Sequence, residues 1–305
     1  MKTITRFIAA TVSAILLSAT PHCLSAQTTL TPVQQRCTKH SMKHQGRQRE
    51  FYLYMPEGLP EGAPVVIGLH GYTGKAENML PGLLDAADRH GFAVCYPQGL
   101  PDPVGKPSWN VGYPSQKGMK VNDIDFMKKL IRHLSSKFGL SRENAFLTGM
   151  SNGGEMCYLM SRKSPGTFRA IASIAGLTLA DMLSVKYRKP IPFMEVHGTE
   201  DRTSEWTGDP ENKGGWGAYL AVPASISCVV AANGCVGETI TRLPLRKGHN
   251  QVILHHFQNG KPAFKGGPSA DVLLYEVIGG DHTWADEDMD TCEAMWDFFS
   301  TYLKR

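Results

Sequence analysis

The segment Gly149-Met150-Ser151-Asn152-Gly153-Gly154 follows the short apolar run 145–148 and leads into Glu155-Met156-Cys157-Tyr158-Leu159-Met160, which has helical character. A G-x-S-x-G serine between a strand and a helix is the setting of a nucleophile elbow. The glycines two before and two after the serine are required because a Cβ there would collide with the neighbouring strand or helix. A serine hydroxyl attacks only when a base takes its proton and a carboxylate orients that base. Later in the chain, Val196-His197-Gly198-Thr199-Glu200-Asp201 and Gly279-Gly280-Asp281-His282 each fall just past an apolar run. They complete the order serine, acid, histidine. Ser151 is therefore assigned as nucleophile, Asp201 as acid and His282 as base, with Glu200 the nearest rival acid and Asp209 and Asp181 behind it. His249, His255 and His256 lie before or within an extended segment and are the weaker bases. An acyl transfer also needs N–H donors for the oxyanion, each worth about 2.7–4 kcal/mol of barrier. Asn152, directly after the serine, supplies one; the turn His70-Gly71-Tyr72-Thr73-Gly74 supplies the other from Tyr72, with Thr73 the alternative. His70 itself is expected to shape that turn through a local hydrogen bond.

The elements that must hold these residues alternate along the chain. Apolar, often β-branched runs at 64–70, 92–96, 145–148, 170–175, 192–197 and 272–278 have the character of strands buried on both faces, and 49–55 that of an outer strand. Between them, Ile124, Met127, Ile131, Leu134 and Phe138 repeat at helical spacing behind Asn122 as cap and ahead of Gly139 as stop. Pro223–Ala232, closed by Asn233-Gly234, predicts another helix. A last helix carries Cys292, Met295, Trp296, Phe299 and Leu303 along one stripe. This alternation predicts an α/β fold, a mostly parallel central sheet with helices on both faces and chemistry at the carboxyl ends of the strands.

The chain has 305 residues, 42% hydrophobic and 20% charged, which excludes disordered, collagen-like and coiled-coil classes. Lys2 and Arg6 precede an apolar stretch from Phe7 to about Leu17, and Leu24-Ser25-Ala26 offers a cleavage site, so residues 1–26 have the pattern of a secretory signal. Cys23 as a lipoprotein cysteine fits less well, because Thr20-Pro21-His22 lacks the usual small and apolar residues. The expected mature unit, 27–305, shows no composition break and is expected to be one catalytic domain, exported to the periplasm or beyond and soluble. No later apolar stretch reaches membrane-spanning length. Losing Lys2 and Arg6 takes Lys+Arg from 32 to 30 against 28 Asp+Glu, a net +2. No basic stretch stands out, so nucleic acid is an unexpected partner. Six cysteines remain. Cys95 and Cys157 are expected to be buried thiols, while Cys37, Cys228, Cys235 and Cys292 are candidates for disulfides of undetermined pairing. No C-x-x-C or H-E-x-x-H pattern occurs, so neither metal nor other cofactor is expected.

LHGYTG, YPQG, SWN, GLSRENAFLTGMSNGGEM, VHGTEDRT, ANGC and GGDHTW occur in an order and spacing that resembles the secreted polyhydroxybutyrate depolymerase and feruloyl esterase-like α/β-hydrolases, from about Arg49 to Leu303. The resemblance implies an α/β-hydrolase fold, a triad of Ser151, Asp201 and His282, and Tyr72 with Asn152 as oxyanion donors. Two positions depart from the family pattern: Asp281 stands where glycine is usual, and Ala285 where proline is usual. A carboxylate at 281 is placed to compete for the His282 imidazole.

Trp109, Trp206, Trp216 and Trp284 fall in segments expected to be rim loops, and with Tyr72, Tyr113 and the stretch 203–217 they would suit a planar phenolic acyl group or a sugar ring. The substrate class implied by the resemblance is an ester-bearing plant polysaccharide or oligosaccharide. A feruloyl esterase leads, with acetyl-xylan esterase and polyhydroxybutyrate depolymerase as alternatives. A prolyl-oligopeptidase-type serine peptidase usually brings a large extra domain, and a silent carbohydrate-binding module would have lost the triad; both rank lower.

Overall fold

The computed structural model describes residues 30–304, so the expected leader 1–26 and Cys23 lie outside the described residues. The strands are β1 (Thr38–His44), β2 (Arg47–Tyr54), β3 (Val65–Leu69), β4 (Ala93–Pro97), the two-residue pair β5 (Leu100–Pro101) and β6 (Pro107–Ser108), β7 (Ala145–Met150), β8 (Ile171–Ile174), β9 (Phe193–Gly198), β10 (Gly237–Arg242), β11 (Gln251–Gln258) and β12 (Val272–Ile278). The helices are α1 (Pro32–Arg36), α2 (Gly82–His90), α3 (Asp123–Phe138), α4 (Asn152–Lys163), α5 (Val222–Asn233) and α6 (Thr291–Ser300).

Ten strands form one sheet in the order β1-β2-β4-β3-β7-β8-β9-β12-β11-β10. The six from β4 to β12 run parallel, and antiparallel strands extend the sheet on either side. The central strands are short and β-branched because both their faces are covered; every residue of β3 and β4 is buried. On one face, Phe126, Leu130, Met156, Met160 and Ile226 bring α3, α4 and α5 onto the sheet. On the other, Leu83, Leu84, Met295 and Phe299 bring α2 and α6. Phe92 stacks on Trp296 with ring centroids 4.1 Å apart, joining β4's entry to α6.

Helix boundaries follow the sequence signals. The Asn122 side chain accepts the Asp125 N–H at 3.0 Å, and α3 stops at Gly139 in the left-handed region at φ 69°. α6 ends at Ser300, so Leu303 packs from beyond the helix and not along its stripe.

The disulfide expectation for Cys37, Cys228, Cys235 and Cys292 is not met: all six described cysteines are free thiols. Burial pushes the Cys37 thiol up to about 11 and raises Cys235 and Cys292 as well, so these groups behave as small apolar side chains. Among the described residues, no helix is long and apolar enough to cross a membrane.

Candidate active site

β7 delivers Ser151 into a turn where it has φ 55° and ψ −122°, a strained conformation for a residue with a side chain. The turn is possible because its neighbours lack a Cβ. One built on Gly149 would meet Gly153 O at 2.5 Å, and one on Gly153 would meet Leu69 O at 2.5 Å. Asn152 opens α4, so its N–H has no partner earlier in the helix and stands at the positive end of the helix dipole. β3 delivers the facing turn, where a Cβ on Gly71 would lie 3.3 Å from Ser151 Cβ. Thr73 N–H, the alternative donor, donates to Pro107 O at 2.8 Å and is therefore occupied.

The facing turn is fixed from behind. His70 Nδ1 donates to Gly71 O at 2.7 Å, and its Nε2 accepts from Gly99 N–H at 2.9 Å. Burial pushes the imidazole down to about 4, so it stays neutral and keeps both bonds. The local bond expected of His70 is present.

Trp109 corrects the expected rim. It is wholly buried, its Nε1–H donates to His70 O at 2.9 Å, and its ring lies 5.1 Å from that of His70. Its backbone N–H donates to Asn152 Oδ1 at 2.7 Å, and its O accepts from Asn152 Nδ2 at 3.1 Å. The next residue is held too: Asn110 N–H donates to Asp123, whose carboxylate pairs with fully buried Arg49 at 2.8 Å. Trp109 thus ties the His70 turn to the serine elbow from inside and offers no face to a ligand. A loop tryptophan has the same appearance in sequence whichever way it turns.

β9 and β12 are neighbours, so Asp201 and His282 leave adjacent strand ends. Thr199 N–H donates to Val277 O and Glu200 N–H to Gly280 O, both at 2.9 Å, and a Cβ on Gly198 would lie 2.2 Å from Gly280 O. Across this junction His282 Nδ1 lies 2.7 Å from Asp201 Oδ2. Asp201 Oδ1 accepts the N–H groups of Thr203 and Ser204, each at 2.8 Å. Burial opposes the charge on Asp201, but His282 and these backbone donors outweigh it and hold the carboxyl below its usual range. Asp281 Oδ1 accepts the His282 backbone N–H at 2.8 Å, so that carboxylate caps the turn and does not take the imidazole Nδ1. Ala285 has φ 56°, which a proline ring cannot adopt, so this departure from the family pattern coincides with a different local backbone.

The rival residues have other partners. Asp209 accepts Gly214 N–H at 2.7 Å within its own loop. Glu200 and Asp181 are exposed. His255 lies between Glu238 and Glu276 on the outer strands, His256 meets Asp271 at 2.8 Å, and His249 is exposed. No hydrogen bond joins Ser151 Oγ to His282 among the described residues; such contacts tighten when substrate is bound.

Two buried groups behind the acid were not singled out from the sequence. His197 Nδ1 lies 3.0 Å from Glu195 Oε1, and its Nε2 lies 2.7 Å from Ser204 O and 3.5 Å from Asp201 Oδ2. Burial works against a charged His197, but the Glu195 hydrogen bond and charge outweigh it and raise the imidazole. Their signal was a polar pair at alternate positions of a strand otherwise entirely buried. On the other side of α4, Tyr113 O–H donates to Glu155, whose burial pushes it up to about 8 despite that bond.

Trp206, Trp216 and Trp284 are each half-buried. Trp216 packs on Tyr72 and Tyr113 with ring centroids 5.5 and 5.3 Å away, so the 203–217 loop reaches the Tyr72 turn; Tyr113, expected to line the cleft, is instead buried with its hydroxyl on Glu155. Trp206 lies edge-on to His197 at 6.1 Å and borders a depression of about 310 Å³ that also takes in Asp201. Trp284 packs on the opposite core layer.

Residues 49–196 match the family described as Esterase PHB depolymerase. The match takes in 148 of the chain's 305 residues. The matched stretch includes Ser151 and ends before Asp201 and His282. A Nocardia uniformis subsp. tsuyamanensis protein named as an esterase is 29% identical over 192 residues, 58% of this chain and 54% of that one. Feruloyl esterase B of Piromyces equi is 24% identical over 263 residues, 83% of this chain and 45% of its own length. The chain thus spans about half the length of these curated relatives. Among solved structures, acetyl xylan esterase from Aspergillus awamori superposes with a TM-score of 0.60 at 15% identity, covering 87% of this chain and 99% of that one. The fold of the chain is that of the α/β-hydrolases.

Proposed function

We propose that residues 27–305 form one exported serine carboxylic-ester hydrolase domain behind a secretory signal at 1–26, acting without a cofactor to release hydroxycinnamic acids such as ferulate from plant cell-wall polysaccharide. The observation that carries the serine mechanism is the 2.7 Å contact of His282 Nδ1 with buried Asp201, on the same sheet edge as the strained Ser151. Ser151 Oγ attacks the ester carbonyl carbon as its proton passes to His282 Nε2. The oxyanion lies against the N–H groups of Tyr72 and Asn152. His282 returns the proton to the departing sugar alcohol, and water, activated by the same imidazole, then frees the acid from the acyl-enzyme. The partly exposed rings of Tyr72 and Trp216, backed by buried Tyr113, support an aromatic acyl group. A feruloyl esterase is among the relatives, alongside acetylxylan esterases and a poly(3-hydroxyalkanoate) depolymerase, so the aromatic rings carry the choice of acyl group.

The test compares kcat/KM of the signal-free protein on methyl ferulate, acetylated xylo-oligosaccharide and a hydroxybutyrate oligomer, with Ser151→Ala as control. Ferulate is expected to be preferred, and Ser151→Ala to lose turnover by orders of magnitude with its fold intact. Preference for acetyl or hydroxybutyrate esters would overturn the acyl assignment; near-normal turnover by Ser151→Ala would overturn the nucleophile.

A further inference from the structure

At the opposite end of the sheet from Ser151, a cleft of about 790 Å³ opens between α3 and the loops that lead into β7, β8, β9 and β12. Lys128, Arg132, Arg142, Arg169, Lys189 and Lys265 line it, and none of the six is in an ion pair among the described residues. Its single carboxylate, Glu143, is already bound by Lys304 at 2.7 Å. Lys128 also borders a second depression of about 430 Å³, which adds Arg162, Lys163 and Arg188. The carboxylate there, Asp125, is occupied by His44 and Lys129. Arg162 is only 4% exposed; its Nη1 donates to Val185 O at 3.2 Å and its guanidinium lies 4.2 Å over the Tyr187 ring, while its Nε and Nη2 have no hydrogen-bond partner. On a chain whose expected mature charge is +2, nine unpaired cations are thus gathered on one face. Sequence order scatters them over 138 positions, so no basic stretch announces the face.

Gathering like charges without counter-ions is unfavourable, and a buried guanidinium with two unsatisfied nitrogens and no carboxylate adds a further cost. A bound anion would offset both. Two adjoining depressions suit a linear polyanion better than a single small ion. Five of the nine cations are arginines, whose planar forks match carboxylates. The one aromatic ring partly exposed in the cleft, Phe264, has a face covered by the Arg169 guanidinium at 4.2 Å, leaving little platform for stacking bases. We infer that this cleft binds a uronate-bearing polysaccharide through its carboxylates, a site separate from the ester site; the choice of polysaccharide rests on the proposed esterase function. A strand of six residues separates the two ends by about 20 Å, so occupancy would hold the enzyme near its polymer without competing for the serine.

The test is affinity electrophoresis of the signal-free protein in gels containing glucuronoxylan, the same polymer with its carboxyls reduced, or single-stranded DNA. Glucuronoxylan is expected to retard the protein, and the retardation to be lost in about 0.5 M salt. Arg132→Glu with Lys189→Glu, both exposed, should weaken retention about tenfold while kcat/KM on methyl ferulate is unchanged. Equal retention by the carboxyl-reduced polymer, undiminished retention of the double variant, or stronger retention by DNA would each overturn the inference. If methyl ferulate is turned over but glucuronoxylan does not retard the protein, the inference alone fails. If glucuronoxylan retards it selectively and no ester is hydrolysed, the cleft stands and the esterase reading fails.

Discussion

Glu195 and His197, two residues apart on β9, turn to the same side of the sheet and meet at 3.0 Å beneath the Asp201 carboxylate. The imidazole, whose proton affinity Glu195 raises, stands between two carboxylates, where a proton on it moderates the negative field that Asp201 presents to His282. In His197→Gln a neutral amide keeps a donor toward Ser204 O but cannot take up that proton. The acid limb of the kcat/KM profile is expected to move to higher pH, with kcat down about tenfold, near 1.4 kcal/mol of barrier. A pH–rate series on methyl ferulate checks this. A fall in kcat with an unmoved profile would mean that His197 serves only as packing.

Asp201→Asn should be far more costly. The amide keeps the size of the side chain but presents the wrong partner to His282 Nδ1, so kcat is expected to fall by about 10⁴-fold. Circular dichroism should remain that of the parent, because Asn Oδ1 can still accept from Thr203 and Ser204. Retention of more than a tenth of the activity would assign the acid elsewhere, and Glu200 would be the next residue to substitute.

Glu155 sets a stability dependence with a definite sign. Its ordinary value is 4.5 and the fold raises it to about 8, so the folded state binds the proton more tightly. Its contribution is fully present below pH 4.5 and is lost as pH rises through about 8; each tenfold difference in proton affinity between the folded and unfolded chains corresponds to about 1.4 kcal/mol. Glu155→Gln keeps an acceptor for Tyr113 and has nothing to ionise. Urea denaturation at pH 5 and pH 8.5 should show a smaller loss of stability in Glu155→Gln than in the parent, and an equal loss in both would refute the assignment.

The two kinds of tryptophan should separate kinetically. Trp216→Ala removes a ring from the Tyr72 and Tyr113 cluster and is expected to raise KM for methyl ferulate several-fold more than for an acetyl ester. Trp109→Phe keeps the packing but loses the donor to His70 O, worth about 1 kcal/mol. It should lower kcat for both esters alike and reduce Tm. If Trp109→Phe discriminated between the acyl groups, the buried position would not describe its role.

The six parallel strands and the α3 caps were legible because burial on both faces forces continuous apolar runs, and Asn122 and Gly139 carry local hydrogen-bond and φ requirements, whereas the largely exposed edge strands β1 and β10 carry no such run. The positions of Ser151, Asp201 and His282 were legible for a related reason: each follows a strand end at a turn with glycine. Direction was not legible. Trp109 and Trp216 both lie in loops, and only the backbone around them decides that one turns inward to His70 and the other toward Tyr72. The cationic cleft was hidden because α3 and four separate loops contribute to it. Its charges meet only after the sheet has formed.

The seam between the Thr199 and Gly279 turns has a consequence for how this protein could diversify. Asp201 is fixed by the seam and by the first residues after it, whereas the excursion from Thr203 returns through the Asp209–Tyr219 bridge and the Val222 N–H bond to Trp206 O. Those return points are themselves backbone contacts, so the tip between them can be rewritten or lengthened without shifting the carboxylate. Substrate range can therefore be exchanged as a cassette on an unaltered reaction centre.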